Sequence, residues 1–226
     1  MAEQGDAGGA LRALATATRI LPGSRRQHEL AVEVYAKVLE SIGQIAEAES
    51  HVREGLSALG DSPTLWALAG RLAQADGRPI DAVRCFTTAT ELDPRCFEAW
   101  TNWGAVLNGL GRFEDALPCH DHAVLLRPTE DIAWVNRAAA LMGLGRARET
   151  AESCSHVRNG TFLSWYLLGR ANLVLGQPGQ AVEALKRAIA LDQSKGFAWN
   201  DYSSALASVG NRVEAARAAS MGRKLG

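Results

Sequence analysis

Residues 97–130 read FEAWTNWGAVLNGLGRFEDALPCHDHAVLLRPTE, and their internal pattern decides the fold. Apolar residues recur at three- and four-residue steps through Trp100, Trp103, Leu107 and Leu110, the period of an amphipathic helix. Gly111 follows, where a helix commonly ends on a left-handed residue that glycine adopts at little cost. A second helical stretch starts at Phe113, carries Ala116, His120 and Ala123 on one face, and stops near Pro128. The segment is therefore a helical hairpin whose second helix offers small side chains to its neighbour. Overpacking that contact, as in Ala116→Leu, is expected to cost roughly 1–3 kcal/mol.

The same pattern recurs along most of the chain. Trp66, Trp100, Trp134, Trp165 and Trp199 are spaced 34, 34, 31 and 34 residues apart. Gly43, Gly77, Gly111, Gly145, Gly176 and Gly210 keep the same steps. So do Ala48, Ala82, Ala116, Thr150, Ala181 and Ala215, and a further ladder of Gly55, Ala89, Ala123, Val157, Ala188 and Gly222. Four ladders in one register define a repeat architecture.

These residues resemble the tetratricopeptide repeat family. Its 34-residue unit asks for Trp, Leu-Gly, Tyr or Leu, Gly, Ala, an aromatic, Ala and finally Pro. The unit from Phe97 supplies Trp100, Trp103-Gly104, Leu107, Gly111, Ala116, Ala123 and Pro128; the one before it supplies Trp66, Gly70, Ala82, Phe86, Ala89 and Pro94. The resemblance covers about nine tenths of the chain and implies an all-α, right-handed superhelical solenoid. Its units are 29–62, 63–96, 97–130, 131–161, 162–195 and 196–226, the first having Val32 where Trp is expected.

Two departures stand out. The fourth unit is three residues short, and the ladders place the loss between Val157 and Trp165, where Arg158-Asn159-Gly160-Thr161 replaces a longer helix end. A changed angle is expected between the fourth and fifth units, so that the superhelix bends or splits there. At the start, Ala10, Leu14, Ala17 and Pro22 repeat the spacing of Ala116, His120, Ala123 and Pro128. Residues 1–28 therefore read as a half-repeat, a capping helix over 8–21, followed by a short insertion, Gly23 to His28. The last helix, rich in Ala, ends with Arg223 and Lys224, which suit the helix dipole.

Composition narrows the function. Net charge is −1, from 24 basic and 25 acidic residues, which gives no basic track for nucleic acid or an anionic membrane. No apolar run reaches membrane-spanning length. The start lacks a signal-peptide pattern and the four cysteines form no CxxC pair, so a cytoplasmic setting is the expectation. No GxSxG, phosphate-cradling loop or HExxH motif is present, and no enzyme activity or cofactor is expected. Cys119, His120 and His122 with Cys154 and His156 lie on successive second helices and offer N and S ligands suited to borderline metals. A metal- or redox-responsive scaffold is thus one alternative. His120 and Cys154 nevertheless fall in the slot that holds Phe86 and Leu185 elsewhere, and packing explains them without a metal.

In the resembling family the first helices line a concave face that binds extended or helical peptides. Registering the units nominates Lys37, Arg71, Thr101, Asn102, Ala105, Asn108, Asn136, Ala139, Tyr166, Arg170 and Asn200 as groove residues. Asn carries both a donor and an acceptor and can pair with the backbone of an extended peptide. Asn102 and Asn136 resemble the asparagine ladder of the repeat arm of O-GlcNAc transferases. The Lys, Asn and Arg set with which chaperone-binding members clamp a carboxylate is incomplete, since Lys37 and Arg71 lack their Asn partners. Arg71 and Arg170 could each meet a partner carboxylate, for about 1.5–3 kcal/mol. Ala105 and Ala139 leave room in the middle of the row. The expected function is a protein–protein interaction scaffold or adaptor with a protein or peptide partner. A self-assembling coat protein that associates through its chain ends is the other alternative.

Overall fold

The computed structural model describes residues 25–225, and the half-repeat expected over 8–21 lies outside them. Among the described residues there are twelve α-helices and no strands. In chain order they are α1 (Arg25–Ser41), α2 (Ile45–Leu59), α3 (Pro63–Ala75), α4 (Pro79–Leu92), α5 (Phe97–Gly109) and α6 (Phe113–Leu126). The others are α7 (Asp131–Gly143), α8 (Ala147–Ser155), α9 (Phe162–Val174), α10 (Pro178–Leu191), α11 (Gly196–Ser208) and α12 (Arg212–Leu225). Within each of two compact units successive helices close as hairpins, α1 on α2, α3 on α4, α7 on α8, α9 on α10 and α11 on α12, and the chain is an all-α helical-repeat protein. Arg25 to His28 form the first turn of α1 instead of an insertion. Arg25 Nη2 donates to the carbonyl of Asp61 at 2.9 Å and holds that turn against the next loop.

The glycine ladder makes the turns. Gly43, Gly77, Gly111, Gly145, Gly176 and Gly210 all have φ between 69 and 83°, where a Cβ would be strained. The residue after each glycine then donates its N–H to a carbonyl five residues back. Gln44 reaches Leu39, Arg78 reaches Ala73, Arg112 reaches Leu107, Arg146 reaches Leu141, Gln177 reaches Asn172 and Asn211 reaches Leu206, at 2.8–2.9 Å. That is the Schellman closure of a helix C-terminus. Three rungs of the tryptophan ladder fasten other loops, whereas Nε1 of Trp66 is buried without a partner among the described residues. Trp100, Trp134 and Trp199 donate Nε1–H to the carbonyls of Pro94, Pro128 and Gln193, at 2.9, 2.9 and 3.0 Å.

The described residues divide into two compact units, with the boundary between Val106 and Leu107. In the first, Val32, Leu39, Val52, Leu65 and Leu72 form one buried cluster, and Phe86, Ala82, Ala89 and Val106 anchor another. Val32, standing in the Trp slot, is itself buried. In the second unit Ala138, Cys154 and Leu167 form one cluster, and Leu185, Ile189, Tyr202 and Leu206 centre a larger one. The small-residue ladder from Ala48 to Ala215 is buried at every rung, which is why the hairpins close tightly.

The short fourth repeat has a defined cause. α8 has 9 residues, whereas α4, α6, α10 and α12 have 14. The chain leaves the helix at His156, whose ring stacks on Trp134 with centroids 4.0 Å apart. The Asp131 carboxylate then accepts from the backbone N–H groups of Arg158 and Asn159, at 2.9 and 2.8 Å. These two bonds hold the carboxyl of Asp131 below its ordinary range. The fourth, fifth and sixth repeats all belong to one compact unit, so the chain does not split at this junction.

Candidate functional site

In the first compact unit, three helices contribute side chains to one cleft of about 310 Å³. Lys37 of α1, Arg71 of α3 and Asn102 of α5 all line it, together with Glu33, Thr64 and Glu98. Ala67 and Leu68 provide apolar wall, and both are buried in the stack behind. Lys37 and Arg71 stand one repeat apart in the same row, and Asn102 lies three residues, about one helical turn, before Ala105, the next position of that row. Charge in the cleft is balanced. Lys37 Nζ pairs with Glu33 at 2.5 Å, and Arg71 Nη2 pairs with Glu40 at 2.5 Å. Both pairs are partly exposed, so each is weak and can exchange partners. Arg71 thus meets an acid of its own chain, where sequence spacing had left its partner open.

Thr101 takes no part in that cleft. It is buried, and its hydroxyl donates to the carbonyl of Phe97 at 2.8 Å, closing within its own helix. Ala105 is half-buried on α5.

In the second unit the nominated residues divide by role. Asn108 Nδ2 donates to the backbone carbonyl of Asn136 at 3.1 Å and lies 3.1 Å from Nε2 of the fully buried His120. Its Nδ2 joins the last turn of α5, residues 107–109, to α6 and α7 within this unit, while its Oδ1 is buried with no partner among the described residues. Asn136 is half-buried on α7, and Ala139 packs against the Cys154 and Leu167 cluster. Asn200 leans its Oδ1 on the backbone of Gly222, close enough that a Cβ there would lie 2.0 Å away. It serves the closure of α11 on α12.

Tyr166 and Arg170 form the second accessible group. Tyr166 stacks on Phe162 at 5.8 Å and meets Phe197 edge-on at 4.9 Å. The Arg170 guanidinium lies 5.9 Å from the Tyr166 ring centre and 3.7 Å from the Asp201 carboxylate. Burial, with the nearby Asp201 carboxylate, pushes the Tyr166 hydroxyl up to about 12. Phe197 remains half-exposed, so this face of α9 and α11 presents an aromatic surface beside an ion pair.

The five Cys and His positions do not converge. His156 is held on Trp134, His120 is turned into the core beside Asn108, and His122 Nδ1 lies 3.0 Å from the carbonyl of Pro118. Cys119 and Cys154 are buried, and burial pushes both thiols up to about 12. No group of three or more potential metal ligands occurs among the described residues. Among the described residues no helix is long and apolar enough to cross a membrane.

Comparison with known proteins adds the family. Tetratricopeptide repeat models match residues 68–121 and 163–195. No curated relative matches the chain in sequence. Among solved structures, PilW, a widely conserved type IV pilus biogenesis factor, superposes with a TM-score of 0.72 at 18% identity, over 83% of this chain and 88% of its own. MamA from Desulfovibrio magneticus RS-1, residue 41 onward, gives 0.66 at 21% identity, over 74% and 96%. YrrB, a tetratricopeptide repeat protein with an unusual peptide-binding site, gives 0.63 at 20% identity, over 74% and 88%.

Proposed function

Because the chain is a tetratricopeptide repeat protein, we propose that it is an interaction scaffold that holds an extended segment of a partner protein against its first helices. The carrying observation is the cleft of the first unit, where Lys37, Arg71 and Asn102 arrive from three separate helices. A cleft with two cations, two carboxylates and a carboxamide has no net charge with which to select an anion. It suits a polypeptide backbone, with Asn102 supplying a donor and an acceptor to the main chain. Glu33 and Lys37 read mixed-charge side chains by exchanging ion-pair partners. The peptide-binding site for which YrrB is known supports a peptide as the ligand class. Tyr166 and Arg170 form a second contact region for the partner in the second unit, through the aromatic surface with Phe197.

A scaffold, and not an enzyme, is the reading that the residues favour. The recurrent Gly, Trp and Ala positions are used in turns and packing, and the two buried thiols stay protonated at neutral pH. The test is affinity capture from source-cell lysate with the wild-type chain and an Arg71→Ala/Asn102→Ala variant. A protein retained by wild type and lost by the variant is the expected result. Equal retention by both would place binding elsewhere on the surface.

A further inference from the structure

One rung of the ladder that makes the Schellman turns breaks its own rule. The positions are Leu39, Ala73, Leu107, Leu141, Asn172 and Leu206, four residues before each turn glycine. Every one is buried, at 0–4% exposure, and every one but Asn172 is apolar. The backbone carbonyl of Asn172 accepts from Gln177 as its equivalents do. Its side-chain carboxamide makes no hydrogen bond to any described residue, yet the residue is only 4% exposed. Neither Oδ1 nor Nδ2 of Asn172 is among the buried polar atoms without a partner, so the little surface that the residue keeps is its carboxamide, which meets solvent in the pocket it lines.

Asn172 is aimed into an open pocket of about 450 Å³ on the α9–α10 hairpin, lined also by Trp165, Leu168, Gln180, Glu183 and Arg187. Residues 165, 168 and 172 follow the i, i+3, i+7 spacing of one helix face. Tyr166 and Arg170 lie across α9 from them, so the pocket is separate from the first-helix surface discussed above. The pocket also lies in the repeat that follows the short one. Trp165, like Trp66, has none of the loop-carbonyl bonds made by Trp100, Trp134 and Trp199. Gly160 instead crowds its indole edge, where a Cβ would come within 2.1 Å of Nε1. The Arg187 guanidinium covers the Trp165 ring at 4.6 Å and makes no ion pair with any described residue.

We infer that this pocket is a second peptide-binding site, which takes an extended, acidic segment of a partner protein. Asn172 pairs with a main-chain amide of that segment at the pocket floor, donating to its carbonyl and accepting from its N–H. Arg187 swings from the indole to a peptide carboxylate, and Trp165 and Leu168 receive the flanking side chain. Glu183, one turn before Arg187, sets the limit of one carboxylate at this point, because a second would face it directly.

The test turns on Asn172→Leu, which restores the residue that three of the other five repeats bury in helices of the same length. Random dodecapeptides displayed on phage are depleted on the Asn172→Leu chain and then selected on the wild-type chain. Survivors are synthesised and titrated calorimetrically against wild type, Asn172→Leu and Arg187→Ala. Expected are Asp- or Glu-containing peptides whose affinity falls at least tenfold with either substitution and is unchanged by Asn102→Ala. The inference is overturned if no peptide survives depletion, if survivors lack acidic residues, or if neither Asn172→Leu nor Arg187→Ala weakens their binding. None of these results bears on the cleft of the first unit, which is tested by Arg71 and Asn102.

Discussion

Asp131→Ala should release the loop that replaces the missing end of α8. The carboxylate accepts two backbone N–H groups, from Arg158 at 2.9 Å and Asn159 at 2.8 Å, with Arg158 Nε a further 4.0 Å away. Hydrogen bonds to a charged acceptor contribute about 1.5–3 kcal/mol each when shielded. Here the donors lie on an exposed loop and regain water when the acceptor is removed. The loss is therefore set near the low end, about 2 kcal/mol for the pair. A chain of this size should then melt about 4–8 °C lower. Hydrogen exchange read by mass spectrometry locates the effect: amides of 156–160 should exchange at least tenfold faster, while α3 and α4 are unchanged. The pH dependence follows from the same bonds. A carboxyl held below its unfolded value contributes stability that is present above the unfolded pKa and lost as pH falls through the lowered one. Asp131→Asn should flatten that acid limb. Unaltered exchange at Arg158 and Asn159 in Asp131→Ala would refute the anchoring role.

Other outcomes follow from packing and burial. Gly169→Ala would place a Cβ 2.5 Å from Cγ of Leu185 and 3.3 Å from its backbone N, so urea unfolding should show a loss of about 1–3 kcal/mol. Trp134→Phe removes the N–H that reaches Pro128, and should lower stability by about 1 kcal/mol in the same assay. Cys119 and Cys154, with thiols pushed up to about 12, should resist maleimide at pH 7.5 in the folded chain and react fully in denaturant, as read by peptide mass spectrometry. Labelling of those two in the folded chain at the rate of Cys96 would contradict their burial.

The fold was legible because its signals are spaced by backbone geometry. A glycine at φ near 70–80° must recur at the repeat length, whatever lies between, and three of the five ladder tryptophans repeat one loop bond in the same register. The surface was less legible. Thr101 and Asn108 sit in groove register and have the polar character of a binding row, but local bonds occupy the Thr101 hydroxyl and the Asn108 Nδ2. Thr101 closes on Phe97, and Asn108 is paired with His120 and the Asn136 carbonyl. The pairing with His120 depends on a histidine replacing Phe86 or Leu185 in the core slot, and period alone does not reveal such a contact. Asn172 was passed over for the opposite reason. It sits in an apolar stretch, and only alignment with Leu39, Leu107, Leu141 and Leu206 exposes the exchange. The lost helix end of the fourth repeat was legible from the ladders, but not that α8 would be five residues shorter than its 14-residue counterparts and its turn pinned by Asp131.

The most direct test of the scaffold reading is calorimetric titration of a captured partner's binding segment against three chains. These are wild type, Arg71→Ala/Asn102→Ala, and Tyr202→Phe as a control for folding outside the cleft, where only the Glu214 contact is lost. Expected is a loss of affinity of at least tenfold in the double variant, with wild-type affinity in the control and unchanged helicity in all three. Equal affinity across the three chains would contradict a binding cleft built by α1, α3 and α5.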